Sequence, residues 1–253
     1  MGYIDTHCHL NDTSYEDIDA IIDECRKQNI DKMICIGFDL DSSIRAVKLA
    51  NTYDIVYAAV GIHPDEAGTY SDEVEEKLEE LAKNNPKVVA IGEIGLDYYW
   101  DKASHETQKA VFKRQIELAR KLNLPVVIHN RDAFMDTYDV IKEYVPLKGV
   151  MHCYSGSVDM ARNYIKQGLY ISLAGPVTFK NAVMPKEVAK EVPLDKLLIE
   201  TDCPYLTPHP YRGKVNYPYF VNLVGKEISS LREISEDFLQ ENLAKNVRNL
   251  FKI

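Results

Sequence analysis

Eight short apolar runs, most of them followed by a stretch of helical periodicity, constrain this chain more than any other feature. The runs fall at residues 3–5, 32–36, 56–61, 88–91, 125–129, 149–152, 170–173 and 197–200. Each has the length and the β-branched content of a buried strand. Helical patterns occupy 14–28, 42–52, 71–83, 105–122, 132–143 and 157–166. Ser14 followed by Asp17, and Ser42 with an apolar run behind it, have the form of helix starts. Strand–helix units joined by right-handed crossovers close most simply into a parallel (β/α)8 TIM barrel. Two further helical patterns, 219–231 and 236–251, finish the chain as extra C-terminal helices. No repeat, low-complexity tract or linker interrupts the alternation. One domain is therefore expected over 1–253, a length that a single barrel fills.

A hydrophobic content of 45% and a charged content of 27% suit a globular chain with a sizeable core. No apolar stretch approaches the roughly 20 residues that span a bilayer, so no membrane partner is expected. The opening Tyr3-Ile4-Asp5 does not read as a signal peptide. Five scattered cysteines (Cys8, Cys25, Cys35, Cys153 and Cys203) are odd in number and form no C-x-x-C pair. Reduced thiols and a cytoplasmic location follow as expectations. The net charge of −9 argues against an extended basic surface for nucleic acid. A phosphate substrate stays compatible with it, because bound metal ions can reverse the local field.

Ligand-type residues gather at the ends of the runs. Asp5-Thr6-His7-Cys8-His9 closes the first, and strand alternation points His7 and His9 the same way. Glu93 follows the fourth run, His129 ends the fifth, His152 ends the sixth and Asp202 follows the eighth. In a barrel all these ends open on one face, where barrel enzymes place their chemistry. Imidazoles and carboxylates converging there suit a hydrolytic divalent-metal site. Six such groups exceed the needs of one four-coordinate ion. Two ions about 4 Å apart, sharing a carboxylate, use them better. His7, His9, Glu93 and Asp202 are expected around one ion. Glu93, as the bridge, would join His129 and His152 around the other. Nitrogen and oxygen donors without thiolate suit magnesium, manganese, zinc or nickel. Cys8, Cys153 and Cys203 alternate away from the site and read as core residues. Glu200 should share the face of Asp202 but lie deeper, orienting a histidine.

Further residues near these ends are candidates for substrate contact. His63, in Gly61-Ile62-His63-Pro64, can donate to a phosphate oxygen or protonate a leaving group. Asn130 and Arg131 follow His129 directly, and Arg131 can grip a phosphate through two hydrogen bonds. Ser155-Gly156-Ser157 opens a helix whose free N–H groups can hold an anion, although Ser157 can equally serve as a plain cap. Tyr98-Tyr99-Trp100 can stack a base or pack in a loop. Tyr205, Tyr211, Arg212 and Lys214 suit the wall of a polar groove.

These motifs resemble those of the TatD family of metal-dependent deoxyribonucleases, within the amidohydrolase superfamily. The resemblance covers essentially the whole chain. It rests on Asp5-Thr6-His7-Cys8-His9, Gly61-Ile62-His63-Pro64, Gly92-Glu93-Ile94-Gly95-Leu96-Asp97, Ile128-His129-Asn130-Arg131, His152-Cys153-Tyr154-Ser155-Gly156 and Glu200-Thr201-Asp202-Cys203-Pro204-Tyr205-Leu206. Many superfamily relatives bridge their metals with a carbamylated lysine where this chain has Glu93. Tyr217 stands where the family often carries an acidic residue. The resemblance implies a (β/α)8-barrel hydrolase with one or two divalent metals and magnesium-dependent cleavage of DNA. A 3′-to-5′ exonuclease acting as a monomer on single strands or 3′ ends is the expectation, with Asp202 handling the proton of the attacking water. The competing expectation is an amidohydrolase that opens a small cyclic amide, lactone or ester with the same metals.

Overall fold

The computed structural model describes residues 2–100 and 102–253. Its strands are β1 (Tyr3–Cys8), β2 (Ile30–Ile36), β3 (Val56–Val60), β4 (Val88–Asp97), β5 (Val126–Arg131), β6 (Gly149–Met151), β7 (Leu169–Leu173) and β8 (Leu197–Ile199). They form one parallel sheet in the order β1 to β8. The ring is drawn together where β1 meets the segment after β8. Asp202 N–H donates to His7 O at 2.9 Å, and His9 N–H donates to Cys203 O at 2.8 Å. The fold is a (β/α)8 TIM barrel with extra helices at its C-terminal end.

The helices are α1 (Ile18–Lys27), α2 (Leu40–Thr52), α3 (Asp72–Asn84), α4 (His105–Leu122), α5 (Phe134–Lys142), α6 (Val158–Lys166), α7 (Met184–Glu191), α8 (Val221–Arg232) and α9 (Glu236–Phe251). Several begin elsewhere than local pattern suggests. The N-cap of α1 is Asp17, whose side chain accepts from Ala20 N–H, and not Ser14. For α2 it is Asp39, and Ser42 is the other half of a reciprocal capping box. Asp132 is left-handed at φ 56°, so α5 starts only at Phe134. Between β7 and β8, where the local pattern marks no helix, α7 forms with Pro185 in its first turn.

Two apolar layers hold the barrel. The larger lies between strands and helices, and includes Phe112, Ile116, Leu78 and Tyr164. The smaller is built from Ile4, Ile34, Ala59, Val89, Val127, Val150, Tyr170 and Leu198, at least one residue from every strand. Ala244, Val247, Leu250 and Phe251 of α9 pack on this second set. The chain end meets the strand starts at Val88 and Val89, so α9 plugs the mouth where the strands begin. The opposite mouth is left open for polar groups. Among the described residues, no helix is long and apolar enough to cross a membrane.

Candidate metal centre

Two irregularities aim the ligand-type residues. Between Asp5↔Met33 and Cys8↔Cys35, β1 spends three residues against two on β2. Between Ile91↔Val126 and Ile94↔Ile128, β4 does the same against β5. Such bulges redirect side chains. The second one contains Glu93, which therefore lies within a long β4 and not beyond the end of a short strand. Gly95, at φ +144°, lets β4 run against the carbonyl of His129, where any Cβ would collide.

The result is a close convergence. His7 Nε2 and His9 Nε2 lie 3.2 Å apart. Glu93 Oε2 faces them at 3.5 and 3.6 Å, and Asp202 Oδ1 at 3.6 and 3.5 Å. The other oxygen, Glu93 Oε1, lies 2.8 Å from His129 Nδ1 and 2.8 Å from His152 Nε2. Those two nitrogens are 3.2 Å apart. One carboxylate thus turns each of its oxygens to a different histidine pair.

Buried partners fix the rings. His129 Nε2 meets Asp97 Oδ2 at 3.0 Å, and His152 Nδ1 meets Glu200 Oε1 at 3.1 Å. His9 Nδ1 donates to Ile36 O at 3.1 Å. Each contact leaves the opposite ring nitrogen turned to the centre. Asp97 was missed in this role; its signal is a spacing of four from Glu93 along the same strand. Asp5 stitches the barrel seam beneath the site. Its carboxylate accepts from Thr201 N–H at 2.9 Å, Thr201 Oγ1–H at 2.6 Å and His7 N–H at 3.2 Å. Two buried glutamines of α4 clamp neighbouring backbone. Gln108 exchanges hydrogen bonds with Asp97 at 2.9 and 2.8 Å, and Gln115 with Ile62 at 2.8 and 2.9 Å. Nothing in their helical setting marked them.

The electrostatics fit a cation. Burial works to protonate Glu93, but the charge of His152 and the hydrogen bonds from His129 and His152 outweigh it and hold the carboxyl well below its ordinary range. Asp202 is lowered likewise, burial being overcome by its bond to His9. Burial also works to deprotonate His152, yet Glu93 and Glu200 raise it well above the ordinary value. His9 is raised to about 9 against burial, by Asp202 and Glu93. His7 is lowered, first by burial and then by His152, and its Nδ1 has no hydrogen-bond partner among the described residues. Ionised carboxylates and crowded imidazoles in a buried space make a donor set that divalent ions satisfy better than protons. The groups His7–His9–Asp202 and His7–Glu93–His152 each offer atoms close enough to hold an ion. Cys8 and Cys203 are buried behind the seam, and Cys8 donates to Ile34 O at 3.4 Å.

Two cavities meet at this point, sharing His129, His152 and Asp202. One, of about 310 Å³, is bounded by His9, His63, Asp65, Glu66, Trp100 and Lys102. The other, of about 320 Å³, has Asn130, Arg131 and Ser155 above Leu173, Val177 and Leu206. His63 Nδ1 accepts from Asp65 N–H at 3.1 Å, which leaves Nε2 to carry the proton, 3.7 Å from Glu93 Oε1. Burial, then the neighbouring His129, pushes His63 down to about 3, so it is a neutral donor. The Arg131 guanidinium lies 3.7 Å over the Tyr99 ring. Ser157, not Ser155, caps α6, leaving Ser155 exposed at the cavity rim. Arg212 lines neither cavity and packs over Phe179 at 3.9 Å. Tyr98 is also set apart from its neighbours, stacked on His105 at 3.5 Å, whereas Tyr99 and Trp100 are more than half exposed.

A barrel whose strand ends bring four histidines and two carboxylates to one point has the frame of a metal-dependent hydrolase. The comparisons give that class a family. The family profile described as "TatD related DNase" matches residues 4–252. "Uncharacterized metal-dependent hydrolase YabD" of Bacillus subtilis strain 168 is 45% identical over 252 residues, covering 98% of each chain. "Uncharacterized metal-dependent hydrolase TatD" of Mycobacterium tuberculosis is 35% identical over 237 residues, 90% of this chain and 89% of that one. The crystal structure of YJJV, a TatD homolog from Escherichia coli K12, matches with a TM-score of 0.94 at 31% identity, covering 99% of this chain and 98% of that chain. The chain belongs to the TatD family of metal-dependent hydrolases.

Proposed function

We propose that this protein hydrolyses phosphodiester bonds of DNA, as a 3′-to-5′ exodeoxyribonuclease with a dinuclear metal centre. The observation that carries the reading is Glu93, whose two oxygens face two separate histidine pairs at the junction of two cavities. His7, His9, Glu93 and Asp202 would hold one ion, and Glu93, His129 and His152 the other. Magnesium, manganese, zinc or nickel bound there would polarise phosphoryl oxygens and bring the pKa of a water towards neutrality. Asp202 lines both cavities and accepts the proton of the attacking water. Neutral His63 donates its Nε2–H to a phosphoryl oxygen, while Asn130, Arg131 and Ser155 hold the phosphate on the other side. Arg212 belongs to the outer loop and takes no part in this scheme.

The test is hydrolysis of 3′-labelled and 5′-labelled single-stranded oligonucleotides by metal-stripped protein, with magnesium, manganese or zinc restored. Stepwise shortening from the 3′ end, absent in Asp202→Asn with the fold intact, is the expected result. Wild-type rates in that variant would defeat the mechanism. A second reading is favoured by the apolar floor of the second cavity, which suits a small cyclic amide, lactone or ester. Metal-dependent turnover of such compounds with intact oligonucleotides would select it.

A further inference from the structure

The two cavities flanking the metal centre carry opposite charge. In the first, among the described residues, Asp65 and Glu66 face a single ammonium: Lys102 Nζ lies 3.5 Å from Asp65 Oδ2 and 3.8 Å from Glu66 Oε1. Asp65 is largely buried, and its Oδ1 has no hydrogen-bond partner among the described residues. The second cavity has Arg131 as its charged wall, with Ser155 and Asn130 beside it, and among the described residues no carboxylate beyond the shared Asp202. A nucleic-acid strand brings one negative charge with every phosphate. A continuing strand is therefore repelled from the first cavity and drawn past the second. Only a part of the substrate without a phosphate suits the Asp65–Glu66 wall, and the one such part of a strand is an end that finishes in a hydroxyl. That cavity also offers the exposed Trp100 ring, on which a terminal base can stack.

Building on the phosphodiesterase reading, we propose that the His63–Asp65–Glu66–Trp100 cavity is the subsite for a terminal nucleoside with a free hydroxyl, and that its carboxylates reject an end bearing a phosphate. The terminal hydroxyl donates to the Asp65–Glu66 carboxylates. The scissile phosphate lies at the centre, and the rest of the strand leaves over Arg131 and Ser155. For digestion from the 3′ end, the hydroxyl is the 3′ one.

The experiment compares four single-stranded oligonucleotides of one sequence, carrying hydroxyl or phosphate at the 3′ and at the 5′ end. Initial rates are measured with the full-length, manganese-loaded protein, and with Glu66→Gln and Asp65→Asn. A 3′-phosphate should slow cleavage at least tenfold against the 3′-hydroxyl. The ratio should shrink severalfold in both variants, because each removes one repelling charge. Ratios within twofold for wild type, or a ratio unchanged in both variants, overturn the end rule while leaving the nuclease reading in place. Faster cleavage of phosphate ends overturns it too, by showing that Lys102 recruits the phosphate. Cleavage of none of the four defeats the phosphodiesterase reading and the proposal with it.

Discussion

The two mouths of the barrel are made by the same strands and are built on opposite principles. At the mouth where strands begin, Ile4, Val89 and Tyr170 meet Val247, Leu250 and Phe251 of α9, and the contact is apolar. A charge placed near that mouth is fully partnered. Lys87 Nζ lies within hydrogen-bond reach of four backbone carbonyls, of Ala50, Tyr53, Asp54 and Val56, at 2.7–3.1 Å, enough for all three of its N–H groups. At the mouth where strands end, histidine nitrogens face each other at 3.2 Å, close enough to share a cation. Two residues there, Cys153 and Asp202, hold left-handed backbone at φ 42° and 56°, a conformation that costs on the order of 1–3 kcal/mol each. The comparison teaches that folding energy and chemistry are separated along the barrel axis. The plugged mouth stabilises, and the open mouth spends stability on positioning.

That separation can be broken or sharpened by experiment. The largest effect is expected from Glu93→Ala, which removes the oxygens shared by both histidine pairs. Hydrolysis should fall by about a thousandfold or more, with the circular dichroism of a folded barrel retained. Next comes Phe251→Ala in the plug, which should cost about 3–5 kcal/mol of stability. At 25 °C its kcat should stay near wild type; a large loss of kcat would show that the mouths are coupled.

Removing metal should lower stability by about 3 kcal/mol when the ion is supplied at 100 times its Kd. Thermal unfolding with and without chelator reads this directly, and an unchanged Tm would deny the open mouth its dependence on a cation. Asp97→Asn leaves the donor atoms in place but frees the far side of the His129 ring. Metal affinity, followed by competition with a chromophoric chelator, should weaken about 10- to 100-fold. An unaltered affinity would mean that Asp97 does not orient His129.

The smallest effect is a pH dependence of stability that a bound cation flattens above pH 6.5. His9 is held at about 9, above its ordinary 6.5, because Asp202 and Glu93 outweigh burial. Its contribution is fully present below pH 6.5 and is lost as pH rises through 9. His63, pushed to about 3 by burial and His129, acts in the other direction and costs stability as pH falls below 6.5. Chelated protein should therefore have a narrow optimum in Tm near pH 6.5. Loaded protein, with the His9 nitrogen occupied, should show a flatter profile from 6.5 to 9. Identical profiles would contradict the assignment.

Local pattern alone revealed a good part of this molecule. The eight apolar runs, the right-handed alternation and the closing helices are properties of neighbouring residues, so they are legible in the chain. The same holds for the spacing of His7 and His9, and for the presence of His129, His152 and Asp202 near run ends. What the pattern could not carry depends on distant segments finding a register. The bulge that draws Glu93 inside β4 exists only because β5 lies alongside with a different residue count. Asp97 becomes the partner of His129 through a contact 32 residues apart; Glu200 orients a histidine as expected, but that the histidine is His152 follows only from a contact 48 residues apart. Gln108 and Gln115 look like ordinary helix residues until the end of β4 and the segment after β3 present backbone to them. Asp17 and Asp39, not Ser14 and Ser42, cap α1 and α2, their side chains accepting from Ala20 N–H and Ser42 N–H. Arg212 was close to the motifs in sequence and is spent on Phe179 in space. Periodicity and ligand chemistry are written residue by residue. Register, charge asymmetry and the shape of a cavity arise only when the ring closes and distant groups compete for the same space.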